Sequence, residues 1–232
     1  MTLAGRLAIV TGASRGIGRA IADAFAGAGA RLALCARDEV ALGRAIDELR
    51  AKHPGLGAHG IRCNLAHADE IAAFASRVVE ELGVPDVVVH NAGIVERARL
   101  DDASEAAWDQ VLAVNLRGPA LLTRALLPAM RARRSGRILF IGSISGTLGT
   151  PGLAAYCASK HGVVGLARAL AAELRDDGIQ VNVLNPGSVD TEMLAGSGFP
   201  PRMSADEVAG VALYLAAGAP APLTGSSVDL FG

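Results

Sequence analysis

Residues 7–22 read Leu7-Ala8-Ile9-Val10-Thr11-Gly12-Ala13-Ser14-Arg15-Gly16-Ile17-Gly18-Arg19-Ala20-Ile21-Ala22, and their order decides the fold. A short apolar run suited to a strand leads into a turn holding Gly12, Gly16 and Gly18, and the turn runs straight into helical spacing. Glycines permit a tight turn and let backbone N–H groups approach a ligand at the helix N-terminus, where peptide dipoles favour negative charge. The spacing is Gly-x3-Gly-x-Gly, a variant of the more common GxGxxG, and it predicts a loop that cradles a pyrophosphate. No Lys-Ser/Thr pair follows the loop, which argues against a nucleotide triphosphatase.

Outward from this stretch, short β-branched runs alternate with longer helical patterns. The candidate strands are Leu7–Val10, Leu32–Cys35, Ala58–Arg62, Val87–His90, Ile138–Ile141, Val181–Leu184 and Ser227–Leu230. Helix-like segments lie near 16–28, 39–51, 68–82, 104–132, 153–175 and 204–217. Most of the strands are continuous apolar runs, the pattern of parallel strands buried on both faces. The expected fold is therefore α/β, a single-domain, doubly wound Rossmann-type sheet of seven or so parallel strands with helices on both faces. No Pro/Ser-rich linker or internal repeat divides residues 1–232, so one domain should carry both binding and chemistry. Asp38 and Ser104 are placed to cap the helices that follow them. Pro128 predicts a kink or an end near Leu127 in the fifth segment.

Composition narrows the function. The 232 residues are 51% hydrophobic and 19% charged, enough for one large domain that buries roughly 70–75% of its unfolded surface. Lys and Arg number 22 against 23 Asp and Glu, a formal charge of −1, which argues against nucleic acid as the main partner. An aromatic fraction of 3% leaves few stacking platforms for single strands. Cys35, Cys63 and Cys157 lie far apart without CxxC spacing and read as reduced thiols of a cytoplasmic protein. The histidines are scattered without zinc-type pairing, so no metal is expected. The uncharged stretches 138–159 and 208–228 are long enough to span a bilayer, but glycines, prolines and hydroxyls interrupt both, and no membrane partner is expected.

In a doubly wound sheet the ligand lies at the carboxyl ends of the strands. The second strand ends in Cys35-Ala36-Arg37-Asp38. An acidic residue at that tip would accept from the ribose hydroxyls, whereas the Arg37 guanidinium could pair with a 2′-phosphate, with Arg15 as a second cation. Arg37 points to NADP(H); Asp38 as the ribose partner would point to NAD. Asn64, ending the third strand, could meet an adenine edge or serve the turn. After the fourth strand, the short side chains of Asn91-Ala92-Gly93 leave room for a cofactor.

Tyr156 and Lys160 stand four apart on one helix face. A tyrosine hydroxyl is a poor base at neutral pH unless a nearby cation stabilises the phenolate, so the pair forms a usable acid/base for carbonyl–alcohol interconversion. Ser143, just after the fifth strand, can hydrogen-bond a substrate oxygen facing the tyrosine. Asn115, polar in an apolar stretch of the long fifth helix, either caps neighbouring backbone or marks a water-holding kink.

These residues, in this order, resemble the short-chain dehydrogenase/reductases, and the likeness runs from Leu7 to Gly232. It is carried by Thr11-Gly12-x3-Gly16-Ile17-Gly18, Asn91-Ala92-Gly93, Asn115, Ser143, Tyr156-x3-Lys160 and Asn185-Pro186-Gly187 with Thr191. The resemblance implies Tyr156 as acid/base, Ser143 polarising the substrate oxygen, Lys160 lowering the tyrosine's pKa and holding the nicotinamide ribose, and Asn115 anchoring a water that feeds Lys160. It implies cofactor contacts from Gly12, Ser14, Arg15, Gly16, Ile17, Gly18, Arg37, Asn64, Asn91, Ala92, Gly93, Tyr156, Lys160, Pro186, Gly187, Val189 and Thr191. It implies a small-molecule carbonyl or alcohol substrate and a homotetramer or homodimer. The expected function is NADP(H)-dependent reduction of a ketone, of the carbonyl or 3-oxoacyl type. An NAD-dependent dehydrogenase of a polyol or cyclic alcohol is the alternative within the enzyme class, and a non-catalytic nucleotide-sensing module is the alternative outside it. The segment from Thr191 to Ser204 is short for the family, which predicts an open pocket.

Overall fold

The computed structural model describes residues 1–232. Seven strands form one sheet: β1 (Leu7–Thr11), β2 (Arg31–Ala36), β3 (Ala58–Arg62), β4 (Val87–His90), β5 (Gly136–Ile141), β6 (Ile179–Pro186) and β7 (Ser227–Leu230). Their spatial order is β3-β2-β1-β4-β5-β6-β7, with every neighbouring pair parallel. The order reverses between β1 and β4, which opens a crevice at the carboxyl edge. The principal helices are α1 (Gly16–Gly27), α2 (Glu39–Lys52), α3 (Ala68–Glu81), α4 (Glu105–Leu112), α5 (Gly118–Arg133), α6 (Ala154–Glu173) and α7 (Ala205–Leu213).

Strand alternation splits the core into two layers. On β1, Ala8 and Val10 face one cluster with Ile21 and Phe25 of α1, Leu42 of α2 and Val208 of α7. Leu7 and Ile9 face the other, with Phe74 of α3, Leu122 of α5 and Val163 of α6. Burying such a side chain contributes about 1.5–3 kcal/mol, so each strand is held from both faces. The two edge strands depart from continuous burial: β3 exposes His59, Gly60 and Arg62, and every residue of β7 is only half-buried. No helix is long and apolar enough to cross a membrane.

The expected helix over 104–132 runs unbroken from Glu105 to Arg133 but is not α-helical throughout. Between α4 and α5, residues Ala113–Arg117 widen into one π turn, and Asn115 sits inside it. The last expected helix likewise ends in a π turn, Tyr214–Gly218. Pro128 does not end α5, which continues to Arg133. Leu126, Leu127 and Met130 around the proline are buried against the sheet. Arg133 is anchored on the Val84 and Pro85 carbonyls, and Arg131 on Glu173 and Asp177. Tertiary packing here outweighs the hydrogen bond that proline removes.

Candidate active site

The carboxyl end of β1 is stitched to the end of β4. The Thr11 hydroxyl accepts the Asn91 and Ala92 N–H groups at 3.0 and 3.1 Å and donates to the Val89 carbonyl. In return, Asn91 Nδ2 donates to the Thr11 and Gly12 carbonyls at 2.9 and 3.2 Å. The loop between them has no room for side chains. Gly12 has φ +66° and a Cβ on it would lie 2.8 Å from Ala92 Cα. A Cβ on Gly18 would lie 2.3 Å from both Asn91 Nδ2 and the Gly12 carbonyl oxygen.

This loop delivers the chain into α1 at Gly16. Arg15, the residue before it, is extended, its side chain makes no cap, and the first turn holds no acidic residue. The leading N–H groups of α1 are thus left for an anion, and the residues fit a dinucleotide pyrophosphate. Arg15 itself pairs with Glu192 at the surface, tying the loop to the segment after β6. A Cβ on Gly16 would stand 3.4 Å from Thr191 Cγ2.

At the tip of β2, Ala36 is buried and Arg37 is exposed without an ion-pair partner. The Asp38 carboxylate is committed to the Ala41 N–H at 2.9 Å as the cap of α2. The free charge at this tip is therefore the guanidinium. At the end of β3, Asn64 Oδ1 accepts from the Ala66 N–H at 3.1 Å, so its carbonyl serves the turn, while its backbone N–H donates to Glu70. His90 is a core residue: burial pushes it down to about 3, its Nε2 bonds the Thr123 hydroxyl, and its ring stacks on Phe140.

The reacting side chains come from β5 and α6. Ser143 follows β5, and its backbone N–H is held by Asn185 Oδ1 from β6 at 3.2 Å. Asn185, fully buried, is fixed in turn by donating to Ser227 at 2.7 Å and Asp229 at 2.8 Å. The Ser143 oxygen accepts from the Ser145 N–H at 3.1 Å. Tyr156 lies in the first turn of α6 and Lys160 one turn later, with Nζ 5.6 Å from the tyrosine ring centre. Burial raises the Tyr156 pKa, while the Ser143 hydroxyl and the Arg97 charge pull it partly back. Lys160 makes no hydrogen bond to the tyrosine hydroxyl in this structure. Its ammonium donates instead to the Ile141 carbonyl at 2.8 Å, and burial pushes its pKa down to about 8.

Asn115 reaches this cluster from the π turn. Its Oδ1 accepts the Ile94 N–H at 2.8 Å, and its Nδ2 donates to the Ile94 carbonyl and to the Ser159 hydroxyl. Ser159 donates onward to the Tyr156 carbonyl at 2.7 Å. The asparagine thus clamps the loop after β4 onto the turn of α6 between Tyr156 and Lys160. Gly93 lies beside it: a Cβ there would stand 3.7 Å from Lys160 Nζ.

A cavity of about 690 Å³ opens over Ser143 and Tyr156. Ile17, Pro186, Gly187 and Val189 contribute to its wall, so the glycine loop and the end of β6 border the same space as the reacting hydroxyls. Arg37 and Asn64 stand apart from it, at the β2 and β3 tips. The outer wall includes Met193, Leu194 and Phe199, of which Phe199 is 56% exposed. Sequence reasoning named Asn185 within the Asn185-Pro186-Gly187 motif without its role in holding Ser143, and gave no role to Arg97 or this outer wall. Nothing local distinguishes Arg97 from a solvated loop charge.

Residues 6–198 match the short chain dehydrogenase family. The 3-oxoacyl-(acyl-carrier-protein) reductase of Escherichia coli is 36% identical over 218 residues, covering 94% of this chain and 85% of that protein. A protein described as ketoacyl reductase 1 of the granaticin polyketide synthase of Streptomyces violaceoruber is 41% identical over 194 residues, covering 83% and 71%. Among solved structures, a Beutenbergia cavernae protein described as an NAD(P)-dependent gluconate 5-dehydrogenase, with NADP bound at low occupancy, superposes with TM-score 0.92. It is 37% identical, and the match covers 98% of this chain and 96% of that one. With the sheet order, the glycine loop and the Ser143–Tyr156–Lys160 cluster already in place, these matches establish that the chain is an oxidoreductase of the short-chain dehydrogenase family.

Proposed function

We propose that the protein uses NADP(H) to interconvert a ketone and a secondary alcohol, working as a reductase on a carbonyl or 3-oxoacyl-type substrate. The observation that carries this reading is the convergence of Ser143 and Tyr156 on one cavity at the carboxyl edge of the sheet, with the buried Lys160 Nζ 5.6 Å from the tyrosine ring centre. The ketoreductase names of two relatives and the NADP in the Beutenbergia cavernae protein support it.

When bound, the nicotinamide supplies the hydride. The remaining work falls to the chain. The glycine loop and the open start of α1 hold the pyrophosphate, with Gly12, Ser14, Arg15, Gly16, Ile17 and Gly18 as the contact set. Asn91, Ala92, Gly93, Pro186, Gly187, Val189 and Thr191 line the path toward the nicotinamide, and Asn64 stands near the adenine end. Arg37, free because Asp38 caps α2, is the partner for a 2′-phosphate.

The Tyr156 hydroxyl, its pKa raised by burial, keeps its proton at neutral pH and is suited to donate it to a carbonyl oxygen gaining negative charge. The Ser143 hydroxyl, held through Asn185, orients that oxygen. Lys160, at about 8, is charged at neutral pH yet close to its titration point, which suits a group that resupplies the tyrosine's proton. Asn115 acts as a positioning residue that keeps Lys160 beside the loop after β4.

The test is NADPH and NADH consumption over a panel of ketones, including 3-oxoacyl thioesters, by the wild type and Tyr156→Phe. Reduction with NADPH preferred is expected, and Tyr156→Phe should lose about 10²–10⁴-fold in kcat/KM while still binding NADPH. Wild-type turnover by the variant would remove Tyr156 from the chemistry, and a preference for NADH would remove Arg37.

A further inference from the structure

The cavity beside Tyr156 is charged on one side only. Arg97 and Arg99 contribute to its wall, and no aspartate, glutamate, histidine or lysine does. Arg99 is already balanced at the exposed rim by Asp101, 3.2 Å away. Glu192, on the segment facing Arg97, is taken by Arg15. Arg97 has no acidic partner; its side chain makes one hydrogen bond, from Nη2 to the Met193 carbonyl at 2.6 Å. A guanidinium carries five N–H donors in a planar fork, so most of its donors remain unengaged.

The bond to Met193 fixes where this charge stands. It ties the loop after β4 to the segment after β6, with Arg97 bridging the cavity wall on the Tyr156 side. A cation held within the field of the reacting hydroxyl meets an anion most readily on the reacting molecule itself. One unbalanced guanidinium matches the single charge and planar shape of a carboxylate.

We infer that the substrate is an oxo acid whose carboxylate sits on the Arg97 guanidinium, with its ketone oxygen at Ser143 and Tyr156 and an apolar body against Leu153, Met193 and Phe199. This rests on the ketone-reductase reading above and narrows it to ketones bearing a free carboxylate a few bonds from the carbonyl. Arg97 is then the residue that selects the substrate, and the apolar wall accommodates what the carboxylate and carbonyl leave over.

The experiment measures kcat/KM with NADPH for α-, β- and γ-oxo acids and for their methyl esters, which keep the shape and lose the charge. In the wild type the preferred acid should exceed its ester by on the order of tenfold to a hundredfold. Arg97→Met should bring that ratio toward one, and Arg97→Lys, which keeps the charge and loses the fork, should fall between. A wild-type ratio at or below one overturns the inference. So does an Arg97→Met variant in which acid and ester fall by the same factor, because that is the mark of a merely structural side chain. Turnover of neutral ketones and thioesters without preference for acids overturns this inference and leaves the parent reading standing. Absence of turnover across acids, esters and neutral ketones overturns both.

Discussion

Helices α1 and α7 pack against each other on one face of the sheet, yet they begin in opposite ways. The start of α7 is self-contained. The Ser204 oxygen accepts the Glu207 N–H at 3.2 Å, and the Glu207 carboxylate accepts the Ser204 N–H at 2.7 Å, with Asp206 adding a second negative charge in the first turn. The start of α1 has neither a cap nor an acid, only Arg15 and glycines. Both helices carry the same dipole, so the difference lies in which partner answers it. Side chains of the chain itself answer at α7. At α1 none does, and the proposed function gives that place to an anion from outside, with the stability a cap would contribute forgone.

The largest effect expected on that comparison comes from closing the space at α1. In Gly18→Ala the added methyl meets Asn91 Nδ2 and the Gly12 carbonyl, both at 2.3 Å, and neither belongs to a flexible side-chain end that can swing clear. Asn91 is itself pinned between two carbonyls, so the loop must shift. NADPH affinity should fall by about a hundredfold or more, and the overpacking should lower stability by about 1–3 kcal/mol. Isothermal titration and denaturant unfolding read the two effects separately. Full affinity in the variant would mean that the tight loop is a packing feature and not a binding one.

Arg15→Asp rewrites the start of α1 as a copy of the start of α2, where Asp38 caps. The exposed Arg15–Glu192 pair that it removes is worth little. The new cap should add about 1 kcal/mol of stability while weakening NADPH by about tenfold or more through charge reversal beside the pyrophosphate. Opposite signs in stability and affinity are the signature of an N-terminus reserved for a ligand. If both fell together, α1 would be uncapped for some other reason.

Of the two helix starts, that of α1 was read from the sequence, as Thr-Gly-x3-Gly-x-Gly, whereas the Ser204–Glu207 box of α7 emerged only in the structure. The seven strands were legible too, because parallel strands buried on both faces leave continuous apolar runs, and all seven observed strands overlap the expected ranges. What stayed hidden depends on contacts between distant residues. The π turn at Ala113–Arg117 has no local pattern; it places Asn115 where Ile94 and Ser159, 21 and 44 residues away, can both be reached. The survival of α5 past Pro128 depends on burial against the sheet and on carbonyls more than forty residues distant. Arg97 acquires meaning only when the fold sets it across from Met193, with no carboxylate in the same wall. Sequence patterns carry what neighbours along the chain decide, and the substrate side of this site is decided across it.

Two smaller effects test the α7 half of the comparison. Ser204→Ala removes the cap and should cost about 1 kcal/mol of stability, with NADPH affinity unchanged, since nothing at that helix start waits for a ligand. Glu207→Gln should have the smaller effect, and its sign with pH can be stated. The Ser204 backbone N–H, and then its hydroxyl, hold the Glu207 carboxyl below the ordinary glutamate value of 4.5. A carboxylate lowered in the folded state contributes stability above its unfolded pKa, and that contribution is lost as pH falls through the lowered folded value. Glutamine keeps the capping geometry without the charge, so the wild type should be slightly more stable than Glu207→Gln near neutrality, and the gap should close in acid. Denaturant midpoints at the two pH values measure it. A gap that persists in acid would mean that the glutamate acts through packing, and the capping of α7 would then rest on Ser204 alone.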